Sequence, residues 1–194
     1  MKILALIFAL TSFQAMALTT GEMAPDFTLE GTSKEVSLSD FKGKIVVLEW
    51  LNHGCPFVRK HYDSGNMPSL QKKYTANNVI WLSVISSAPG KQGHVNKEES
   101  IKDMKKYNSS ATDVLLDPTG KVGQLYGAKT TPHMYIIDKS GKLVYQGAID
   151  DKADTDKASI PGAKNYVADA LSAVMKDKPV QVETTKAYGC GVKY

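Results

Sequence analysis

The sequence predicts an α/β domain: a mixed central sheet with helices on both faces and a β-hairpin at its N-terminal end. Short β-rich runs alternate with helical ones along most of the chain, which places helices against a sheet. Two runs, Lys44 to Leu51 (KIVVLEWL) and Asn78 to Ile85 (NVIWLSVI), are near-continuously apolar, as strands buried on both faces are. The last two strands flank Asp138-Lys139-Ser140-Gly141, a hairpin signal, so the sheet closes on an antiparallel pair.

The elements follow in order. Phe27 to Leu29 and Glu35 to Ser37 form the N-terminal hairpin around Gly31. After the first buried strand, Pro56 to Tyr62 and Pro68 to Tyr74 are helical, with Gly65-Asn66 as the break. Asn96 followed by Glu98 and Glu99 supplies an N-cap and an acidic first turn to a helix running to Tyr107. Val114 to Leu116 is a strand, and Pro118 to Tyr126 a helix stopped by Gly127. Met134 to Ile137 and Lys142 to Ile149 make the closing hairpin, and Ala163 to Met175 an amphipathic helix. Residues 178–194 remain as a tail. No repeat or linker divides residues 18–194, which read as one domain.

Residues 1–17 read as a signal peptide. Met1-Lys2 is positive, Ile3 to Phe13 is apolar, and Ala15-Met16-Ala17 is an A-x-A cleavage site. The apolar run is shorter than the roughly 20 residues a membrane span needs. Cleavage before Leu18 would release a periplasmic or secreted protein with no membrane anchor. The formal charge is +4 at pH 7, with basic residues scattered among acids rather than gathered in a stripe, which argues against a nucleic-acid surface. The chain has two cysteines, Cys55 and Cys190, and an exported protein meets conditions in which disulfides persist. Arg59 is its only arginine.

The chemistry centres on Cys55, which stands where a buried strand ends and a helix begins. Pro56 suits the first helical position, so the helix N-terminus points at the sulfur and favours the thiolate, the form that attacks peroxides and disulfides. Arg59 lies one turn on, and its guanidinium is expected to reach back over the sulfur. His53 and His61 flank the same turn. Thr131-Pro132-His133 precedes a late strand, and Pro132 is either an ordinary edge proline or a cis proline in a tight turn near a functional site. Cys190 lies in Tyr188-Gly189-Cys190-Gly191, where the glycines predict a mobile, accessible segment. It reads as a resolving thiol for oxidised Cys55, with a structural disulfide as the alternative.

Gly21-x-x-Ala24-Pro25-Asp26-Phe27-x-Leu29, then Leu38-Ser39-Asp40-Phe41-x-Gly43-Lys44 leading into a strand, resembles the opening of the redoxin (AhpC/TSA) families. The Cys-Pro after that strand, the Thr-Pro before a late strand and the Asp-Lys-Ser-Gly hairpin continue the likeness. Asn52 to Tyr62 (NHGCPFVRKHY) is similar to the peroxiredoxin-like branch of exported thioredoxin-fold proteins. The resemblance implies a thioredoxin-like fold, a nucleophilic Cys55 and a cis Pro132 packed beside it. It also implies a role for Glu49, six residues before Cys55, where thioredoxins carry a buried acid that helps move the thiol proton. A strand-end carboxylate in solvent or paired with a lysine is the other reading of Glu49.

The departures matter as much. Val58 stands where a thioredoxin has its second cysteine, and Asn52 where an orthodox peroxiredoxin has Thr or Ser. With Arg59 the sole arginine, the late-strand arginine of peroxiredoxins has no counterpart, leaving Arg59, His133 or backbone N–H groups to polarise a peroxide. The leading expectation is a thiol oxidoreductase with no cofactor. It acts on peroxide or on a protein thiol or disulfide, is recycled by a thioredoxin-like reductant, and the Thr131-Pro132 loop favours protein thiols. The competing readings are a copper- or zinc-binding module built from Cys55, His53, His61 and His133, and a redox-inert binding domain.

Overall fold

The computed structural model describes residues 18–194, and the predicted signal peptide lies outside them. In chain order the elements are β1 (Thr28–Gly31), β2 (Glu35–Ser37), β3 (Val46–Trp50), α1 (Pro56–Asp63), α2 (Asn66–Thr75) and β4 (Ile80–Ile85). They continue with α3 (Lys97–Lys106), β5 (Asp113–Leu116), α4 (Lys121–Leu125), β6 (Thr130–Thr131), β7 (His133–Ile137), β8 (Leu143–Gly147), α5 (Tyr166–Val174) and β9 (Cys190–Gly191).

Seven strands form one sheet in the order β2-β1-β5-β4-β3-β7-β8. The centre, β5-β4-β3, is parallel, and both flanks are antiparallel, giving the mixed sheet the sequence predicts. The two apolar runs are the adjacent central strands β3 and β4, paired from Val46↔Ile80 to Trp50↔Val84. Alternate residues of β3 serve opposite faces, as a strand's period of two requires. Val47 packs with the α1, α2 and α5 side, together with Cys55, Tyr62 and Leu171. Val46, Leu48 and Trp50 pack on the other face with Val122 of α4 and Tyr126. Both faces are therefore dry, and β3 delivers its C-terminal end to the helix that carries the site.

Local signals hold where they are short-range. Asn96 caps α3 by accepting the Glu99 N–H at 2.9 Å, and the Glu99 carboxylate returns to the Asn96 N–H at 2.9 Å, a reciprocal capping box. Asp138 gathers the N–H groups of Ser140 and Lys142 at 2.8 and 3.0 Å, which sets the β7–β8 turn. Two elements differ from expectation. The Pro118 segment is a turn closed by Gly120 N–H on the Asp117 carbonyl at 2.9 Å, so α4 starts only at Lys121. The N-terminal hairpin turns at residues 32–34, where Asp113 accepts the Thr32 N–H at 2.8 Å.

The largest difference is the tail. It is expected to be mobile, yet it is docked along its length. The Glu183 carbonyl accepts Gln146 N–H, and Thr185 N–H donates to the Gln146 carbonyl, both at 3.0 Å along β8. Beyond β9, Val192 N–H donates to the Lys129 carbonyl at 3.1 Å and Tyr194 Oη to the Ala128 carbonyl at 2.7 Å. The glycines serve close approach rather than mobility. A Cβ on Gly147 would strike the Thr185 side chain and carbonyl, and one on Gly189 would strike the Thr131 carbonyl.

Candidate active site

The loop after β3 is tied before the helix begins. Asn52 is buried, its Oδ1 accepts the Gly54 N–H at 2.8 Å, and its Nδ2 donates to the Gln92 carbonyl at 3.2 Å. Gln92 Nε2 donates back to the Gly54 carbonyl at 2.8 Å. Cys55 N–H closes the turn on the Asn52 carbonyl at 2.9 Å, and Cys55 then caps α1 with extended backbone and Pro56 in the first turn. The Cys55 side chain is fully buried.

Two segments meet it there. The Thr131–Pro132 peptide is cis, and the Thr131 carbonyl oxygen lies 3.0 Å from Cys55 Sγ, within reach of the thiol as donor. On the far side of Thr131, β9 pairs antiparallel with β6, setting Cys190 opposite Thr131. The two cysteines are not joined in this structure, and their sulfurs stand 2.6 Å apart. Burial and the neighbouring Cys55 push the Cys190 thiol up to about 11.

A polar cluster anchors the tail next to this pair. Asn66 Nδ2 donates to His61 Nδ1 at 2.8 Å, so Nδ1 accepts and His61 Nε2–H faces Tyr188 Oη at 3.0 Å. Tyr188 Oη donates onward to Asp150 Oδ1 at 2.5 Å. Burial, with Lys60 nearby, lowers the fully buried His61 to about 4, so the chain Asn66–His61–Tyr188–Asp150 runs through a neutral ring. Lys60 Nζ is buried and donates to the Lys152 carbonyl at 2.8 Å and to Asp154 at 3.0 Å.

Glu49 is 1% exposed, which decides its two readings for burial. Oε1 accepts Tyr62 Oη–H at 2.8 Å, while Oε2 takes Trp81 Nε1–H at 2.7 Å, Gln71 Nε2–H at 3.0 Å and Ser83 Oγ–H at 3.2 Å. Desolvation raises its pKa, and the four donors offset only part of that rise. Glu49 pairs across the sheet with Met134, two residues after Pro132.

The AhpC/TSA family matches residues 20–146. The chain belongs to the AhpC/TSA family. A curated relative, the thiol-disulfide oxidoreductase ResA of Bacillus thuringiensis subsp. konkukian (strain 97-27), is 28% identical over 129 residues, 65% of this chain and 68% of that protein. A conserved protein of Geobacillus kaustophilus has a structure 25% identical, covering 91% of this chain and 93% of that one with a TM-score of 0.77. The structure of a candidate thiol:disulfide interchange protein DsbE of Chlorobium tepidum is 30% identical, covering 67% and 85% with a TM-score of 0.56. Together these show a thioredoxin-like fold and a thiol-dependent oxidoreductase.

Within this AhpC/TSA chain, Cys55, Cys190, Thr131 and Pro132 are brought together, and Arg59 is not. Its guanidinium runs the other way along α1, pairing with Asp63 at 3.1 Å, more than half exposed. The partner four residues on is in reach without desolvation, which reaching back over the buried sulfur would cost. The three histidines near the loop are separately engaged. His53 stacks on Tyr107 with centroids 4.0 Å apart, and His133 Nδ1 accepts Lys129 N–H at 3.3 Å beside Tyr135 Oη at 3.2 Å. Burial lowers both to about 4. Among the described residues no three of His, Cys, Asp and Glu form a metal-ligand group.

Sequence reasoning missed Tyr62, Gln71, Gln92, Asp150 and Tyr188. Tyr188 stands two residues from Cys190 and was reachable by inspection. Gln71 carries no local signal, because its partners come from β3, α1 and the loop after α3.

Proposed function

We propose that the chain is an exported thiol–disulfide oxidoreductase in which Cys55 is the nucleophile and Cys190 the resolving thiol. The observation that carries this is the 2.6 Å separation of the two sulfurs, held by strand pairing to the Thr131 segment. In the forward direction the Cys55 thiolate attacks one sulfur of a protein disulfide. A Cys55–substrate bond forms, the substrate S–S bond breaks, and its electron pair leaves on the second substrate sulfur. Cys190, once deprotonated, attacks Cys55 Sγ and releases the first substrate sulfur as a thiolate. Two electrons have then passed to the substrate, and an external dithiol reductant regenerates the pair. Buried Glu49 is the group proposed to take and return the Cys55 proton.

Protein disulfides are favoured over peroxide by three placements. Arg59 is turned to Asp63, His133 is a neutral ring held by Lys129 and Tyr135, and the Asn52 amide is consumed by Gly54 and Gln92. The export reading rests on residues 1–17 of the sequence and is checked by N-terminal sequencing, which should begin at Leu18.

The test is insulin disulfide reduction by dithiothreitol. Wild-type protein should accelerate it, Cys55→Ser should not, and reduced Cys190→Ser mixed with insulin after removal of dithiothreitol should accumulate a Cys55–insulin mixed disulfide. Rapid turnover of hydrogen peroxide with no effect on insulin would overturn the substrate assignment.

A further inference from the structure

The seat that holds the tail discriminates at three consecutive residues. Cys190 Sγ meets Cys55 Sγ at 2.6 Å, and its backbone lies in antiparallel register with Thr131. One residue earlier, Gly189 has φ +137, and a Cβ there would strike the Thr131 carbonyl oxygen and lie 2.7 Å from its carbon. One residue earlier again, Tyr188 inserts its hydroxyl between His61 and Asp150. Its ring lies 5.9 Å from that of Phe57, with Lys60 Nζ 6.0 Å from its centroid. None of these contacts requires the segment to belong to the same chain. The edge of Thr130 and Thr131 is filled by the tail's own β9, and main-chain pairing of this kind would serve any extended strand that took the tail's place. The side-chain requirements come from the groove: a sulfur, no side chain, a phenol.

We propose that this seat is the substrate-recognition groove of the Cys55 site, and that it selects extended protein segments of the form Tyr-Gly-Cys whose cysteine is in the disulfide to be exchanged. This rests on the reading of Cys55 as a thiol–disulfide exchanger and adds which disulfides it takes. The tail is a tethered occupant of the same groove. An incoming segment displaces it, pairs with Thr130 and Thr131, and places its cysteine where Cys190 stood. The Cys55 thiolate then forms the mixed disulfide with that cysteine. The old S–S bond breaks, and the second substrate sulfur leaves with the electron pair and takes a proton from water. Once the mixed disulfide has formed, the segment leaves the edge and the tail returns to bring Cys190 to Cys55 Sγ. A residue larger than glycine before the cysteine meets the Thr131 carbonyl. An aromatic without a hydroxyl leaves His61 and Asp150 without their shared partner.

The test uses the full-length Cys190→Ser chain, in which the mixed disulfide persists, and three homodimeric peptide disulfides. Their sequences are Ala-Tyr-Gly-Cys-Gly-Val, Ala-Tyr-Ala-Cys-Gly-Val and Ala-Phe-Gly-Cys-Gly-Val. Intact mass after acid quenching gives the rate at which each peptide attaches to Cys55, with 2-hydroxyethyl disulfide as a small probe outside the groove's selection. The tethered tail competes equally with all three, so ratios of rates report the groove. The Ala-for-Gly peptide is expected to be slower by about tenfold or more, from the strained backbone and the collision. The Phe-for-Tyr peptide is expected to be slower by about tenfold, from the lost hydroxyl contacts. Equal rates for the three peptides, with 2-hydroxyethyl disulfide reacting normally, would overturn the selectivity and leave the exchange chemistry standing. No adduct from any disulfide, the small probe included, would overturn both.

Discussion

Replacing Glu49 by Gln probes the buried acid without disturbing its shape. In the wild type Oε2 accepts three donors, from Trp81, Gln71 and Ser83, and Oε1 accepts one, from Tyr62. A glutamine satisfies this best with its carbonyl in the three-donor position and its amide toward Tyr62 Oη. A protonated Glu49 with its proton on Oε1 makes the same arrangement, so Gln stands in for the neutral acid. Below pH 4.5, the ordinary value for this carboxyl, the two proteins should agree in stability to within about 1 kcal/mol. Burial raises the Glu49 pKa in the folded state, so the folded wild type holds its proton longer than the unfolded chain does. Its stability is therefore full below pH 4.5 and falls as pH rises towards the folded value. The loss runs at up to about 1.4 kcal/mol per pH unit. Glu49→Gln has no such loss. Urea unfolding of both reduced proteins between pH 4 and 8 should show the variant gaining on the wild type across this range and then levelling off. Other titrating groups cancel in the difference. A flat difference from pH 4.5 to 8 would mean that Glu49 titrates as it does in water and that burial does not hold its proton.

Further predictions follow from the same geometry. Arg59→Ala should change the rate of Cys55 alkylation less than twofold and unfolding free energy by about 0.5 kcal/mol or less, since it removes only an exposed pair with Asp63; a tenfold loss of reactivity would return Arg59 to the sulfur. Gly189→Ala should lower the effective concentration of Cys190 towards Cys55 by about thirtyfold, the equivalent of roughly 2 kcal/mol of strain at the tail. It is read as the ratio of internal disulfide to glutathione adduct, and an unchanged ratio would contradict the docked tail. His53, His61 and His133 are lowered to about 4 in the folded protein from 6.5, so the stability they lend is present above pH 6.5 and lost as pH falls towards 4. In the Glu49→Gln background the slope should reach several kcal/mol per pH unit, up to about 1.4 for each histidine. A stability independent of pH between 6.5 and 4 would show these rings to be freely solvated.

What was legible in the sequence was local or periodic. KIVVLEWL reads as a two-faced strand because the face alternates at every residue and both faces are dry, and the Asn96–Glu99 box starts its helix through contacts three residues apart. Cys55 and Pro132 stand in recognisable motifs, the resemblance implies their placement beside one another, and the pairing of β3 with β7 is what produces it. Arg59 departs from expectation because two directions along one helix are equally local, and the cost of desolvation chooses between them. The docking of the tail is not readable from its glycines, because glycine permits mobility and close approach alike. Only the Thr131 carbonyl beside Gly189 and the His61–Asp150 pocket for Tyr188 tell the two apart. The burial of Glu49 was equally out of reach, since its four donors come from α1, α2 and β4.

If Cys55 and Cys190 are one redox pair, equilibrating the full-length protein across glutathione redox buffers, trapping free thiols by alkylation and reading the intact mass will show it. The expected result is a single two-electron transition from dithiol to a species lighter by two hydrogens, absent in Cys55→Ser and replaced by a Cys55–glutathione adduct in Cys190→Ser. Wild-type protein that accumulates the glutathione adduct instead, or stays a dithiol at every ratio, would contradict it.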